Sequence, residues 1–275
     1  KDINGTGIWY SPVVDISSFN MVSLELNAEE NIFDYSNTND LEGYWEMDEN
    51  IGLVAGDSSG NSRNGAISGA TWTSGKIGAA LSFDGNDEVI ATGYKGIPGS
   101  TPRTIAAWIK TSTTGVITYW GSNAAGQKST FRIQDDDGIA GSIRYEVNSG
   151  FVCGSTDLRD NQWHHVCAVL PNGVTDVSQV LLYVDGQLEG YSFIQSRTIN
   201  TASLDDFKIG NDGFNRNFNG LIDEVRLYSR ALAVEEINDL PGFNNAIANL
   251  NELKTESRID GGPWTVAENN GSLTG

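Results

Sequence analysis

The run Asp57-Ser58-Ser59-Gly60-Asn61-Ser62-Arg63-Asn64-Gly65 concentrates carboxylate, amide and backbone oxygens. Hard divalent cations such as Ca2+ take several oxygen ligands of this mixed kind, so the loop has the chemistry of a cation site. A structural role suits it equally, with Asp57 closing an Asx-turn on its own backbone. Asp135-Asp136-Asp137-Gly138 is as acidic, but it lacks the later bidentate Glu of an EF-hand loop and reads as an exposed turn. His164 and His165 are neighbours in sequence and point to opposite faces of any strand, which makes them poor joint metal ligands. No Ser-His-Asp pattern, phosphate-cradling glycine loop or zinc spacing is present.

Two segments have the composition of a sugar site, where an exposed aromatic ring lies beside amides and carboxylates. They are Tyr119-Trp120-Gly121-Ser122-Asn123 and Asn211-Asp212-Gly213-Phe214-Asn215-Arg216. Trp120 with Asn123, and Asp212 with Phe214 and Arg216, are the candidate ligand-binding residues. The alternative is a pair of rim loops packed on the edge of the fold. Cys153 and Cys167 are the two cysteines. Each lies in a strand-like run with 157–161 as a turn between them, which is compatible with one disulfide in an oxidising compartment or with two buried thiols.

Such loops need a scaffold, and the composition favours β-structure. Charged residues make up 19% of the chain and glycines number 32, which suits many short strands and tight turns. Acidic residues outnumber basic ones by 36 to 17, for a formal charge of −19. That field repels phosphate backbones and anionic membranes, so nucleic acid is excluded as a partner, and cations or neutral polymers are favoured. No stretch has the apolar length of a membrane helix, so no membrane insertion is expected of this chain. Lys1-Asp2-Ile3-Asn4-Gly5 lacks an apolar run and reads as the start of a mature form or a fragment.

Strands are expected over 80–83, 104–110, 142–147, 163–170, 180–184, 206–209 and 221–228, each bounded by turn residues. In the second, Ile105, Ala107 and Ile109 share one face and Trp108 takes the other. Asp185-Gly186 between two such runs predicts a tight hairpin, because both turn positions want positive φ. Ala231 to Ile237 reads as a short helix ended by Pro241-Gly242, and 245–253 as a weaker one. Trp45, Phe83, Trp108 and Trp163 are expected core residues. The organisation is an N-terminal β arm (1–40), a main domain (41–240) and a C-terminal β arm (241–275). Met21 to Leu26 alternates strictly, and Leu253 to Ile259 reads as a strand. The arms are expected to pair as a small second β region, leaving an edge for another chain; otherwise they are linkers.

Four segments give the main domain a family likeness: Gly43 to Asn50 with Gly56 to Asn61; Gly75 to Gly85; Gln162 to Val166 with Leu182 to Gly186; and Phe218 to Leu232. In this order, over about 200 residues, they resemble the laminin-G-like domains of the concanavalin-A-like lectin and glucanase superfamily, the type common in bacterial surface proteins. The resemblance implies an all-β jelly-roll sandwich of two antiparallel sheets. It implies one structural Ca2+ shared by Asp57 and Asp223, with the 60–64 loop, including Asn61 and Asn64, completing the shell. The alternative for Asp223 is pairing with an arginine. Helices of the family usually open with Ser or Thr, whereas Ala233 stands there, so the cap is missing.

Glucanases of this superfamily carry a Glu-x-Asp-x-x-Glu type pattern on one strand. The nearest string, Glu46-Met47-Asp48-Glu49-Asn50-Ile51, has Ile51 in place of the last acid. The expected function is therefore a non-catalytic, calcium-binding recognition module, extracellular or on the cell surface, that binds carbohydrate or mediates adhesion. Its partners would be a glycan or another extracellular ligand, or neighbouring subunits met through the arms. A structural subunit of a surface filament is the alternative reading, and a glycan-active hydrolase a weaker one.

Overall fold

The computed structural model describes residues 40–240 and 242, and the backbone of Thr255–Ser257 and Thr265–Ala267. The chain divides into two units, Asp34–Asn244 and a second drawn from Lys1–Phe33 with Asn245–Gly275. Within the second, Thr255–Ser257 and Thr265–Ala267 form an antiparallel pair. The expected N-terminal arm and the helix over 245–253 lie outside the described residues.

The larger unit is two antiparallel sheets, as the composition implied. Strands are numbered in chain order. The eight-stranded sheet runs β14 (Gln187–Leu188), β13 (Leu181–Val184), β12 (Trp163–Leu170), β7 (Arg103–Lys110), β17 (Asn219–Tyr228), β5 (Ala79–Asp84) and β4 (Thr71–Ser74), with β1 (Leu41–Trp45) also paired to β17. The nine-stranded sheet runs β15 (Phe193–Gln195), β11 (Phe151–Cys153), β10 (Ile143–Glu146), β9 (Lys128–Ile133), β8 (Gly115–Gly121), β16 (Asp205–Ile209), β6 (Glu88–Ala91), β3 (Gly65–Ser68) and β2 (Val54–Ala55). All seven strands expected from the sequence are present within a residue or two.

The main core fills the space between the sheets. Ile105, Ala107 and Ile109 of β7 face it, together with Phe131, Ile133 and Tyr145 of the other sheet. Trp45 stacks on Phe207 with ring centroids 4.8 Å apart, and Phe83 meets Phe218 edge to face. Trp108 instead lies on the outward face of β7, against His165, and Trp163 is only half-buried at the start of β12. A smaller cluster covers the outside of the eight-stranded sheet, where Ala106, Cys167, Tyr183 and Tyr228 pack under Leu232, Ile237 and Leu240. Ile237 belongs to the expected short helix, α1 (Val234–Asn238). No side chain caps its start at Ala233; Glu236 Oε2 accepts the Ala233 N–H instead.

The hairpin between β13 and β14 turns on Asp185 (φ 48°) and Gly186 (φ 76°), the two positive angles its sequence required. Asp185 Oδ1 also accepts the His165 backbone N–H, which ties the turn to β12.

Candidate functional site

Polar residues on the 57–64 loop close it by hydrogen bonds. Asp57 Oδ1 accepts the N–H groups of Tyr44 and Ser59, and Oδ2 accepts that of Arg63. Asn64 Oδ1 accepts the Asp57 N–H, Asn61 Nδ2 donates to the Leu41 carbonyl, and the Arg63 carbonyl accepts from Trp45 Nε1. Asp223 serves a different turn. Its Oδ2 accepts the N–H groups of Lys76 and Ile77, while its buried Oδ1 has no hydrogen-bond partner. Burial raises the Asp223 carboxyl to about 7, against the pull of those two N–H groups. Among the described residues no hydrogen-bond partner is shared by the two aspartates. Asp57 has three of its four lone-pair sites in use. Among the described residues no group of three or more His, Cys, Asp or Glu side chains is arranged to hold a metal ion.

The denser polar constellation lies on the outward face of the nine-stranded sheet. Alternation along β9 sends Phe131 and Ile133 into the core and Lys128, Thr130 and Arg132 to the other side. In β10, Tyr145 goes inward, and Arg144 and Glu146 go outward. Register places Arg144 opposite Arg132 and Glu146 opposite Thr130. Glu146 then gathers four cations. It pairs with Lys128 through Oε1. Its Oε2 lies 3.0 Å from Arg144 Nε, 3.4 Å from Arg132 Nε and 3.3 Å from Arg216 Nη1. Burial alone would raise this carboxyl, but Lys128, Arg144 and Arg216 outweigh it and hold it at about 2. Burial pushes the Lys128 and Arg144 pKa values down, with Glu146 opposing.

Aromatic rings stand at both ends of this floor. Phe193, 44% exposed, stacks on Phe151 at 5.6 Å, and the Arg144 guanidinium lies 3.4 Å above the Phe151 ring. At the other end Phe214, 43% exposed, meets Tyr119 edge-on at 6.1 Å. Tyr119 donates its hydroxyl to Asp205 Oδ2 at 2.6 Å. Phe151 and Tyr119 are three strands apart in the sheet, which at about 4.8 Å per strand is about 14 Å. An arrangement of flat rings flanking fixed donors and acceptors suits a sugar chain, whose apolar faces stack while its hydroxyls hydrogen-bond.

The structure thus brings Asp212, Phe214 and Arg216 into one site. Arg216 Nε donates to Asp212 Oδ2 at 2.8 Å and reaches Glu146 beyond. Trp120 is a correction. It is fully buried, packs at a tilt against Phe207 and donates Nε1 to the Ile97 carbonyl, so it is no platform. A bulge between Val116 and Thr118 shifts the register of β8 and leaves Trp120 facing inward. Asn123 is exposed on the β8–β9 turn, where its carbonyl accepts from Asn148. The disulfide is a second correction, because Cys153 and Cys167 are both free and buried. Cys153 lies in β11 of one sheet, and Cys167 packs in the outer cluster of the other. Lys128, Arg132, Arg144 and Glu146 were missed from sequence. Their only signal is the Lys-x-Thr-x-Arg and Arg-x-Glu alternation, which reads as ordinary solvent-facing polarity.

A family model described as concanavalin A-like lectin/glucanases superfamily matches residues 83–238, more than half of the chain. The chain belongs to this superfamily. Among solved structures it is similar to domain 4 of AbnA, a GH43 extracellular arabinanase from Geobacillus stearothermophilus, solved in complex with arabinotriose. There the TM-score is 0.55 at 22% identity, over 73% of this chain and 97% of that one. It is also similar to the binding domain of Paraclostridial Mosquitocidal Protein 1, with a TM-score of 0.53 at 16% identity, over 74% of this chain and 52% of that one. A Trypanosoma rangeli sialidase aligns with a TM-score of 0.50 at 19% identity, over 73% of this chain but 32% of the sialidase. No curated protein sequence matches. At these identities the likeness is one of fold, and the superfamily match covers the floor strands β8 to β11 and the 211–216 loop.

Proposed function

We propose that the chain is a non-catalytic carbohydrate-binding module acting outside the cell, and that it binds its glycan across the outward face of the nine-stranded sheet. The observation that carries this reading is the pair of exposed rings, Phe193 and Phe214, at opposite ends of a floor of near-buried polar side chains. A span of about 14 Å between the underlying rings accommodates a short oligosaccharide. The trisaccharide held by the arabinanase domain is in keeping with that length. Binding without catalysis is supported by the incomplete acid string at 46–51 and by the use of Asp48 Oδ1 as acceptor for the Ala79 N–H. The acidic composition supports an extracellular setting, where it favours solubility.

The test is a glycan array followed by calorimetry on each hit. The module should retain oligosaccharides and release no reducing ends from them. Retention of no glycan by the folded protein would refute the reading, and turnover abolished by Glu46→Gln would refute its non-catalytic half.

A further inference from the structure

The counterions on the sheet face fall into two kinds. Glu146 and Asp212 are interior, with side chains 7% and 0% exposed. Asp136 and Asp137 are not, with side chains 50% and 40% exposed. These two reach in from the 134–141 loop to guanidinium groups that are themselves nearly buried. Asp136 pairs with Arg132, and Asp137 Oδ2 lies 3.1 Å from Arg144 Nη1. Their loop is fixed by its backbone, through the Asp136 and Asp137 N–H groups on Gln134 Oε1, the Gly141 N–H on the Gln134 carbonyl, Gln134 Nε2 on the Ile139 carbonyl and the Ile139 N–H on Ser192 Oγ, so that only the two aspartate side chains are free to swing.

With all four carboxylates in place, Lys128, Arg132, Arg144 and Arg216 are balanced. If the exposed pair swings away, four cations face two carboxylates. In a chain with 17 basic residues and a net charge of −19, this face is then a local positive site. Two buried groups on it also lack hydrogen-bond partners. Thr130 Oγ1 has none, and Arg144 Nε, though 3.0 Å from Glu146 Oε2, is out of line for a hydrogen bond. Unmet polar groups beside replaceable carboxylates fit a ligand that brings both carboxylates and hydroxyls.

We propose, building on the carbohydrate reading above, that the ligand is a short acidic oligosaccharide, and that Asp136 and Asp137 stand in for its carboxylates in the free protein. The ligand is short because a long polyanion would meet the repulsion of the remaining acidic surface. Sugar carboxylates replace the two aspartates on Arg132 and Arg144, and the Asp136 and Asp137 side chains rotate out toward solvent.

Calorimetry with an α-1,4-linked galacturonate trimer and its carboxyl-reduced counterpart tests this. The acidic trimer should bind, more weakly as salt rises, and the reduced one should bind at least about tenfold more weakly. Asp136→Asn/Asp137→Asn should tighten acidic-trimer binding by about three- to tenfold, the scale of exposed ion pairs. Asp137→Asn alone should act in the same direction and provides a second, milder variant. Equal affinity for the two trimers overturns the acidic ligand class while leaving a carbohydrate face intact. Failure of the wild type and both variants to bind the acidic trimer overturns it as well. Unchanged affinity in the variants overturns the stand-in role. Silence across the whole glycan array would sink the carbohydrate reading itself.

Discussion

Asp223 carries a buried charge that the fold does not balance. Two backbone N–H groups serve Oδ2, but Oδ1 has no partner and the carboxyl sits at about 7. A folded-state pKa raised above the unfolded value means that the group favours folding below its unfolded pKa. That contribution disappears as pH rises through about 7. Asp223→Asn keeps an acceptor for Lys76 and Ile77 and removes the charge. It should raise the melting temperature at pH 8 and flatten its fall between pH 6 and 8. An ion bound at Asp223 would reverse the sign, and a chelator would then lower the melting temperature of the wild type. Because hydrogen bonds already close the 57–64 loop, chelation is expected to leave melting unchanged. Glu146 behaves oppositely. Held at about 2, it stabilises above its unfolded pKa, and this is lost as pH falls toward 2. Glu146→Gln leaves Lys128 and Arg144 uncompensated near the interior and should cost about 3 kcal/mol or more by denaturant melt.

Individual strands and turns were the most legible part of the sequence, because their signals are local. Asp185-Gly186 announced its hairpin through the angles it requires, and alternation in β7 assigned Ile105, Ala107 and Ile109 to the core. What failed depended on partners distant in sequence. Trp120 lies in a strand as its neighbours suggest, but a bulge decides its face. Cys153 and Cys167 lie in the expected strands, but these strands belong to different sheets. Reduction should therefore leave the intact mass unchanged, and both thiols should resist labelling until the protein unfolds. The bare start of α1 is local too. Ala233 has the extended backbone of an N-cap and lies exposed, so Ala233→Ser should add about 0.5–1 kcal/mol of stability. A loss of stability in the same melt would show that the Glu236 carboxylate already meets the need.

At the scale of the whole molecule, the fold could be read because four weak segments occur in a fixed order. The site could be read only in part. Asp212, Phe214 and Arg216 share one loop, so composition exposed them. Lys128, Arg132, Arg144 and Glu146 meet them only through the pairing of β9 with β10 and the approach of the 211–216 loop. The net charge of −19 gave no hint of this, since an average over the surface hides a cluster of four cations on one face.

The most direct test of a carbohydrate face is titration of Phe214→Ala and Phe193→Ala with the best array ligand, compared with wild type. Both rings are exposed, so each variant should fold and melt normally. Each should weaken binding by about ten- to a hundredfold, the scale of a lost stacking contact. Wild-type affinity in both variants would contradict the account and move the ligand away from this sheet.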